Sequence, residues 1–365
     1  MFYRAFFRLI LLHIDAERVH GFAVAAMRTV ARIPGVLSLL GWLLRPRDPG
    51  LRVQAMGLDF RSPLGVAAGL DKNATAFEAL GALGFGAVEV GTVTARAQDG
   101  NPRPRVTRLP RDRALLNALG FPNDGSEAVA GRLARRRTSA VIGANVGKTK
   151  AVRVEDAVSD YRETVRALAP HADYVALNVS SPNTPGLRQM QSVEHLTALV
   201  AGVREELRTC APDRDAPLLV KLAPDLSNPE IEEIADMALR LELDGIIAVN
   251  TTVDTTLARD SEAEIAAQQH GGGLSGRPLQ PRALEVLRLL HARVGDRLTL
   301  VSVGGVEGAD DMWERILAGA TLVQAYTAFV YGGPLWPHRL NRGLARRLRD
   351  SQWSSIGEAV GKGAE

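Results

Sequence analysis

Leu298-Thr-Leu-Val-Ser-Val303 runs into Gly304-Gly305, continues through the helical stretch Asp310–Ala318, and returns as Thr321-Leu-Val-Gln-Ala325. The two flanking runs are short, apolar and rich in β-branched residues, as strands covered on both faces are. Between them lies a stretch with helical spacing of its apolar residues. Strand, helix and strand of this kind form a β-α-β unit, in which the two strands are parallel.

The same unit recurs back to residue 63. The other runs are Leu64–Leu70, Ala87–Val93, Ala140–Val146, Tyr174–Val179, Leu218–Leu222 and Gly245–Val249, which makes eight with the two above. Helical candidates lie between them at Ala74–Leu83, Ser126–Arg137, Val154–Leu168, Val193–Leu207, Ile231–Leu241 and Pro281–Ala292. Eight repeats favour closure into a (β/α)8 TIM barrel over an open sheet. The fold class expected is therefore α/β, with the barrel over residues 63–349, a last helix at Arg339–Arg349 and a frayed tail over 350–365.

Residues 1–45 have a different character. They hold six arginines against Asp15 and Glu17, set among Phe6, Phe7, Ile10, Leu11, Phe22, Leu39 and Trp42. Spacings of three and four predict short amphipathic helices, broken near Asp15 and at Pro34-Gly35. Residues 46–62 read as a linker and a short strand pair, Val53–Phe60, turned at Met56-Gly57. Phe6–Ile14 and Val36–Leu44 fall well short of the roughly 20 apolar residues of a membrane span.

The 365 residues carry 44 Lys and Arg against 41 Asp and Glu, a formal charge of +3, with 5% aromatics. That balance gives no footing for nucleic acid. The lone Cys210 excludes a disulfide framework or an iron–sulfur cluster made by this chain alone, and a reducing compartment fits.

Barrel chemistry sits where the strands end. Those ends give Asp71-Lys72, Thr92, Asn145, Asn178 with Ser181 and Asn183, Lys221, Asn250-Thr251, Gly304-Gly305 and Tyr326-Thr327. Amides and hydroxyls orient a polar planar ligand, and lysines suit an anion or developing negative charge. Paired glycines after the seventh run allow the close backbone approach of a phosphate site. A phosphorylated cofactor is expected, and no His/Asp/Glu cluster suggests a metal. Two glycine motifs are decoys. Gly143-Ala-Asn-Val-Gly-Lys-Thr149 lacks the first glycine of a P-loop, and Gly81-Ala-Leu-Gly-Phe-Gly86 precedes a strand instead of following one.

With these residues in view the chain resembles the dihydroorotate dehydrogenase family, in its class 2, quinone-dependent form. The resemblance rests on Ala67-Ala-Gly-Leu-Asp-Lys72, Gly91-Thr-Val-Thr94, Asn178-Val-Ser-Ser-Pro-Asn-Thr-Pro-Gly186, Val220-Lys-Leu-Ala-Pro-Asp225, Asn250-Thr-Thr252 and Gly272-Gly-Leu-Ser-Gly-Arg-Pro278, all in order. It implies oxidation of (S)-dihydroorotate to orotate in UMP biosynthesis. One FMN per chain takes a hydride from C6, and ubiquinone or menaquinone is the final acceptor. Ser181 matches the base that removes the C5 proton, where class 1 members carry cysteine.

The resemblance assigns substrate contacts to Lys72, Asn117, Ala118, Leu119, Gly120, Phe121, Asn178, Asn183, Asn250 and Thr251. It assigns FMN contacts to Ala68, Gly69, Leu70, Asp71, Lys72, Thr92, Asn145, Asn178, Lys221, Val249, Gly276, Gly305, Tyr326 and Thr327. His20, Arg108 and Tyr326 match a quinone tunnel entered through the N-terminal helices. Ala118 and Pro122 depart from the family pattern, which usually has Arg and Asn there. The implied setting is peripheral, on the cytoplasmic side of the cell (inner) membrane, with no obligatory second subunit. Two alternatives stay open at this point: a soluble class 1-type FMN oxidoreductase, and a non-catalytic FMN-binding barrel on a membrane surface.

Overall fold

Thirteen strands form three sheets in the computed structural model, which describes residues 2–212, 216–267 and 271–364. In chain order they are β1 (Val53–Ala55), β2 (Leu58–Phe60), β3 (Leu64–Val66), β4 (Ala87–Val93), β5 (Val106–Leu109), β6 (Ala114–Asn117) and β7 (Val141–Val146). There follow β8 (Tyr174–Asn178), β9 (Leu218–Leu222), β10 (Gly245–Ala248), β11 (Gly273–Gly276), β12 (Thr299–Val303) and β13 (Leu322–Ala325). Strands β3, β4, β7, β8, β9, β10, β12 and β13 close into a parallel barrel, β13 pairing back onto β3. The eight expected runs are its eight strands.

One core of aliphatic side chains fills the space between strands and outer helices. The helices are started by local signals. Ser227 and Glu230 form a capping box at Asn228–Arg240, and the Ser192 hydroxyl accepts from His195 N at 3.4 Å at Val193–Cys210. The hairpin β1–β2 lies before the barrel. Its turn residues Met56 and Gly57 both take positive φ, 54° and 70°, as a tight two-residue hairpin requires.

Several boundaries differ from expectation. The first barrel strand stops at Val66, because the chain then turns through Asp71, whose carboxylate accepts from Thr75 N at 2.9 Å and Ala76 N at 2.7 Å. That turn, with Ala74 at φ 50°, delays the following helix to Phe77–Ala82. The C-terminal helix starts earlier, at Trp336, with Pro337 in its first turn. The tail is not frayed as far as Ala364. Ile356 and Ala359 are fully buried, in a short helix packed on β1.

Unforeseen was the third sheet. Strands β5, β6 and β11 pair antiparallel, Asn117 standing opposite both Val106 and Gly273. Across from it lies the N-terminal extension: α1 (Phe2–Leu9), α2 (Ala16–Val30) and α3 (Val36–Leu44), broken at Asp15 and Pro34-Gly35. Phe7 packs against Tyr331 with ring centres 5.2 Å apart and planes tilted by 60°, and Tyr3 donates to Val330 O at 2.8 Å. Glu17 of α2 takes Arg105 at 2.7 Å and Arg103 at 3.0 Å, fastening α2 to the segment before β5. No residue of α2 or α3 is fully buried, though Glu17 and His20 on the inner face of α2 are largely covered, and Phe22, Ile33, Leu39, Trp42 and Leu43 are exposed. No helix among the described residues is long and apolar enough to cross a membrane.

Candidate active site

Strand ends and two loops bring the polar residues together at one mouth of the barrel. Thr92 comes from β4 at a bulge, where the register with β7 shifts between Val90 and Val93. Gly91 makes this possible: at φ 105°, any side chain there would run into the carbonyl of Asn145. Asn145, Asn178 and Lys221 follow from β7, β8 and β9, and Asn250-Thr251 lies just past β10. The loop after β8 carries Ser181 and Asn183 and is folded inward, Ser181 being 5% exposed. Arg188 ties this loop down, bonding Asp225 at 2.8 Å and reaching the carbonyls of Ser180 and Thr251 at 3.4 Å.

The cavity has two compartments, enclosing about 530 and 760 Å³ of space that includes open solvent at the mouth. They share Ala68, Lys221, Asn250, Thr251, Ser275 and Tyr326. The first is walled at one end by bare backbone at Gly276, Gly304 and Gly305. A Cβ on Gly305 would lie 2.6 Å from Gln280 Cα, so that wall admits no side chain. Bare backbone of this kind suits a phosphate group, and the Lys221 ammonium lines the same compartment. An FMN-like group fits that donor set.

The second compartment is lined by Lys72, Asn117, Asn178, Ser181, Asn183, Asn250 and Thr251, with Leu119, Gly120 and Phe121. Ser181 Oγ accepts from Asn183 N at 3.3 Å, a donor placed to stabilise negative charge on that oxygen. Asn183 Nδ2 donates to Asn117 O at 3.1 Å, and Asn117 Nδ2 to Gly273 O at 3.2 Å. Burial pushes the Lys72 ammonium down to about 8, with Glu17 opposing that shift. Burial also lowers Lys221, with Glu89 as the opposing charge.

Most of the expected residues meet here: Ala68, Lys221, Val249, Gly276, Gly305, Tyr326 and Thr327 line the first compartment, Gly69 and Thr92 the second. Four do not reach the wall of either. Asp71 spends its carboxylate on the amides of its own turn. Leu70 faces a different cavity, described below. Ala118 is held by its backbone, its N–H donating to Arg105 O at 2.8 Å. Asn145 lies one hydrogen bond behind Thr92, at 2.6 Å. Sequence reasoning missed Ser275, which lines both compartments and bonds Thr327 Oγ1 at 2.9 Å. It also missed Glu89, whose signal is a single charge inside an apolar run. Among the described residues no three His, Cys, Asp or Glu side chains gather as a metal site.

A third cavity, of about 1,650 Å³, runs between α1, α2 and the mouth sheet. Its wall is mostly apolar, with Phe6, Phe7, Val19 and Met27 along it. His20 and Arg108 stand on that wall, and its inner end meets Lys72 and Tyr326, which also line the polar compartment. Arg108 holds Leu12 O at 3.4 Å and the carbonyl of Ile14. The His20 ring is pushed down to about 3 by burial and then by the Lys72 charge, so it stays neutral.

The family model for dihydroorotate dehydrogenase matches residues 50–348. A protein of Thermobifida fusca named dihydroorotate dehydrogenase (quinone) is 54% identical, over 99% of this chain and 96% of its own length. A Streptomyces coelicolor protein of the same name is 51% identical, over 98% of each. Among solved structures, the Eimeria tenella enzyme in complex with ferulenol superposes with a TM-score of 0.81 at 35% identity, covering 92% of this chain and 96% of that one. These relatives set the soluble class 1 alternative aside, since they are named for quinone. A barrel with this mouth, a polar cavity meeting an apolar tunnel, and relatives matched end to end lead to one conclusion: the chain belongs to the dihydroorotate dehydrogenase family, in its quinone-dependent branch.

Proposed function

We propose that the chain separates its two half-reactions between the two cavities, oxidising dihydroorotate in the polar one and reducing quinone at the end of the apolar one. The observation that carries this reading is the meeting of both cavities at Lys72 and Tyr326. Bound FMN, one per chain, would supply the electron relay, accepting the hydride from C6 and passing the electrons to ubiquinone or menaquinone. Ala68, Gly69, Thr92, Lys221, Val249, Gly276, Gly305, Tyr326 and Thr327 would hold it.

The residues of the second compartment do the rest. Asn117, Asn178, Asn183 and Asn250 present amides to the edges of the pyrimidine ring, and Thr251 adds a hydroxyl. Lys72 answers the substrate carboxylate. Ser181 Oγ takes the C5 proton as its own hydroxyl proton passes to solvent, and the Asn183 N–H that points at that oxygen steadies the negative charge passing through it. With both cavities built by one chain, no second subunit is required.

Residues 1–45 form the quinone entrance. Their exposed apolar side chains and arginines suit a helix pair lying in the interface of an anionic membrane. The protein then works peripherally, on the cytoplasmic side of the cell (inner) membrane.

Anaerobic stopped-flow mixing with dihydroorotate tests the scheme through bleaching of the flavin band. Ser181→Ala slows that bleaching by about 10²–10⁴-fold, while orotate binding and reoxidation by quinone stay near the parent values. Bleaching within a factor of a few of the parent removes Ser181 from its role. Absence of bleaching in the parent would support the non-catalytic barrel instead.

A further inference from the structure

Below the ligand cavity, inside the barrel, lies a carboxylate with no solvent exposure: Glu89, from the middle of β4. Three donors converge on it. Asn145 Nδ2 donates to Oε1 at 2.7 Å, Gln324 Nε2 to Oε2 at 2.7 Å, and the Tyr174 hydroxyl to Oε2 at 3.0 Å. Lys221 is the nearby positive charge that interacts with it. With three donors aimed at its two oxygens, the carboxylate acts toward these neighbours as an acceptor only.

The consequence propagates upward. Facing an acceptor, Asn145 must turn its NH2 toward Glu89, which points its carbonyl oxygen the other way. That oxygen accepts from the Thr92 hydroxyl at 2.6 Å. Having given its only proton, Thr92 Oγ1 can only accept, and it does so from Asn178 Nδ2 at 2.8 Å. Asn178 Oδ1 then accepts from Asn250 Nδ2 at 3.2 Å and from the Ser180 hydroxyl at 3.1 Å. Asn250 Nδ2 also bonds Ser180 Oγ at 3.0 Å, and its Oδ1 takes the Thr251 N–H at 2.8 Å.

An amide is a donor at one end and an acceptor at the other, and the two ends have almost the same shape. Packing therefore cannot choose between its two orientations; only a partner of fixed polarity can. We infer that Glu89 is the positioning residue that sets the hydrogen-bond direction of Asn145 and Thr92, and so gives Asn178 an acceptor that reinforces the orientation its Oδ1 also takes from the Ser180 N–H. With the chain in this direction Thr92 accepts from Asn178 Nδ2; reversed, its hydroxyl would face that NH2 as a donor and oppose the orientation Asn178 holds.

This inference rests on the reading of the site as a dihydroorotate pocket, and the test separates the two. Glu89→Gln and Glu89→Met both remove the charge and nearly keep the volume. Glutamine retains an oxygen to accept from Asn145 and an NH2 to donate to the Tyr174 oxygen; methionine retains no comparable acceptor. The FMN-loaded protein is titrated with orotate, followed by the shift of the flavin band. FMN affinity of the apoprotein is measured separately by fluorescence quenching, and thermal melting confirms that each variant is folded.

The expected result is orotate affinity about 10- to 100-fold weaker in Glu89→Met, the scale of a buried polar group losing its partner, with Glu89→Gln recovering most of it. Thr92→Val, which cuts the relay higher up, matches the methionine variant and covers the case in which Glu89→Met does not fold. Equal losses in Gln and Met variants would mean that Glu89 acts through its charge alone and overturn the inference. So would parent-like affinity in Glu89→Met or in Thr92→Val. A parent protein that binds FMN but shows no response to orotate would instead refute the reading of the pocket.

Discussion

Replacing Glu17 by glutamine should loosen α2 from the barrel while leaving the barrel intact. Arg105 is 4% exposed, and its guanidinium reaches Glu17 at 2.7 Å while Nη1 holds the carbonyls of Asp99 and Asn101 at 2.6 and 2.7 Å. Removing one member of a buried ion pair costs about 3–5 kcal/mol. Two considerations reduce that here: Arg105 keeps its two carbonyls, and the glutamine oxygen can still accept. A loss of about 1.5–3 kcal/mol, that of hydrogen bonds to a charged group, is the better figure.

At a factor of ten per 1.4 kcal/mol, the open population of α2 rises about 10- to 100-fold. Hydrogen exchange followed by mass spectrometry should show that acceleration in α2 amides and leave those of β8 and β9 unchanged. The KM for a long-tailed quinone should rise. Flavin reduction by dihydroorotate, measured at pH 6.5 where Lys72 remains charged, should not change. Unaltered protection of α2, or equal loss of protection in α2 and the barrel, would refute the argument. Acid should act like the mutation. Burial raises the Glu17 carboxyl, but the hydrogen bonds from Arg105 and Arg103 outweigh it and leave it below the usual 4.5. Its contribution is thus complete above about pH 4.5 and is lost as pH falls through the lowered value.

Other outcomes are expected. Orotate affinity should fall as pH rises through about 8, where Lys72 gives up its charge, and Lys72→Met should abolish that dependence; a titration flat from pH 7 to 9 in the parent would count against it. Removing residues 1–40 should spare flavin reduction but impair turnover with long-tailed quinones and release the protein from anionic vesicles, small soluble acceptors still working. Equal loss with every acceptor would make the segment a stabiliser of the fold. The purified protein should be yellow with one FMN per chain, by absorbance of the released flavin, and a metal chelator should leave its activity unchanged.

The barrel was legible because each strand is buried on both faces and so announces itself as an unbroken apolar run. The mouth sheet was not. Its strands are four residues long, β5 carries Arg108, and β11 begins and ends in glycine, so neither length nor periodicity marks them. Gly273 pairs with Asn117 across most of the barrel sequence, and nothing local encodes that partner. Strand ends located most of the site because a parallel barrel puts them all at one mouth. Asp71 sits at the same mouth, but its carboxylate is taken up by the amides of its own turn. Glu89 was overlooked because its partners Asn145, Tyr174 and Gln324 come from three other strands.

Lys72 and Tyr326 form part of the wall of both cavities, so a displacement of either side chain by one ligand would couple the two sites. Whatever displacement of these side chains one ligand induces, the other meets on arrival. If orotate in the polar compartment changes the affinity of a tunnel ligand by some factor, the tunnel ligand must change orotate affinity by the same factor, because binding free energies form a closed cycle. A compound selected only for filling the apolar tunnel would therefore have an affinity that depends on how much orotate is bound, and its apparent potency would vary with the product pool even though the two molecules never touch.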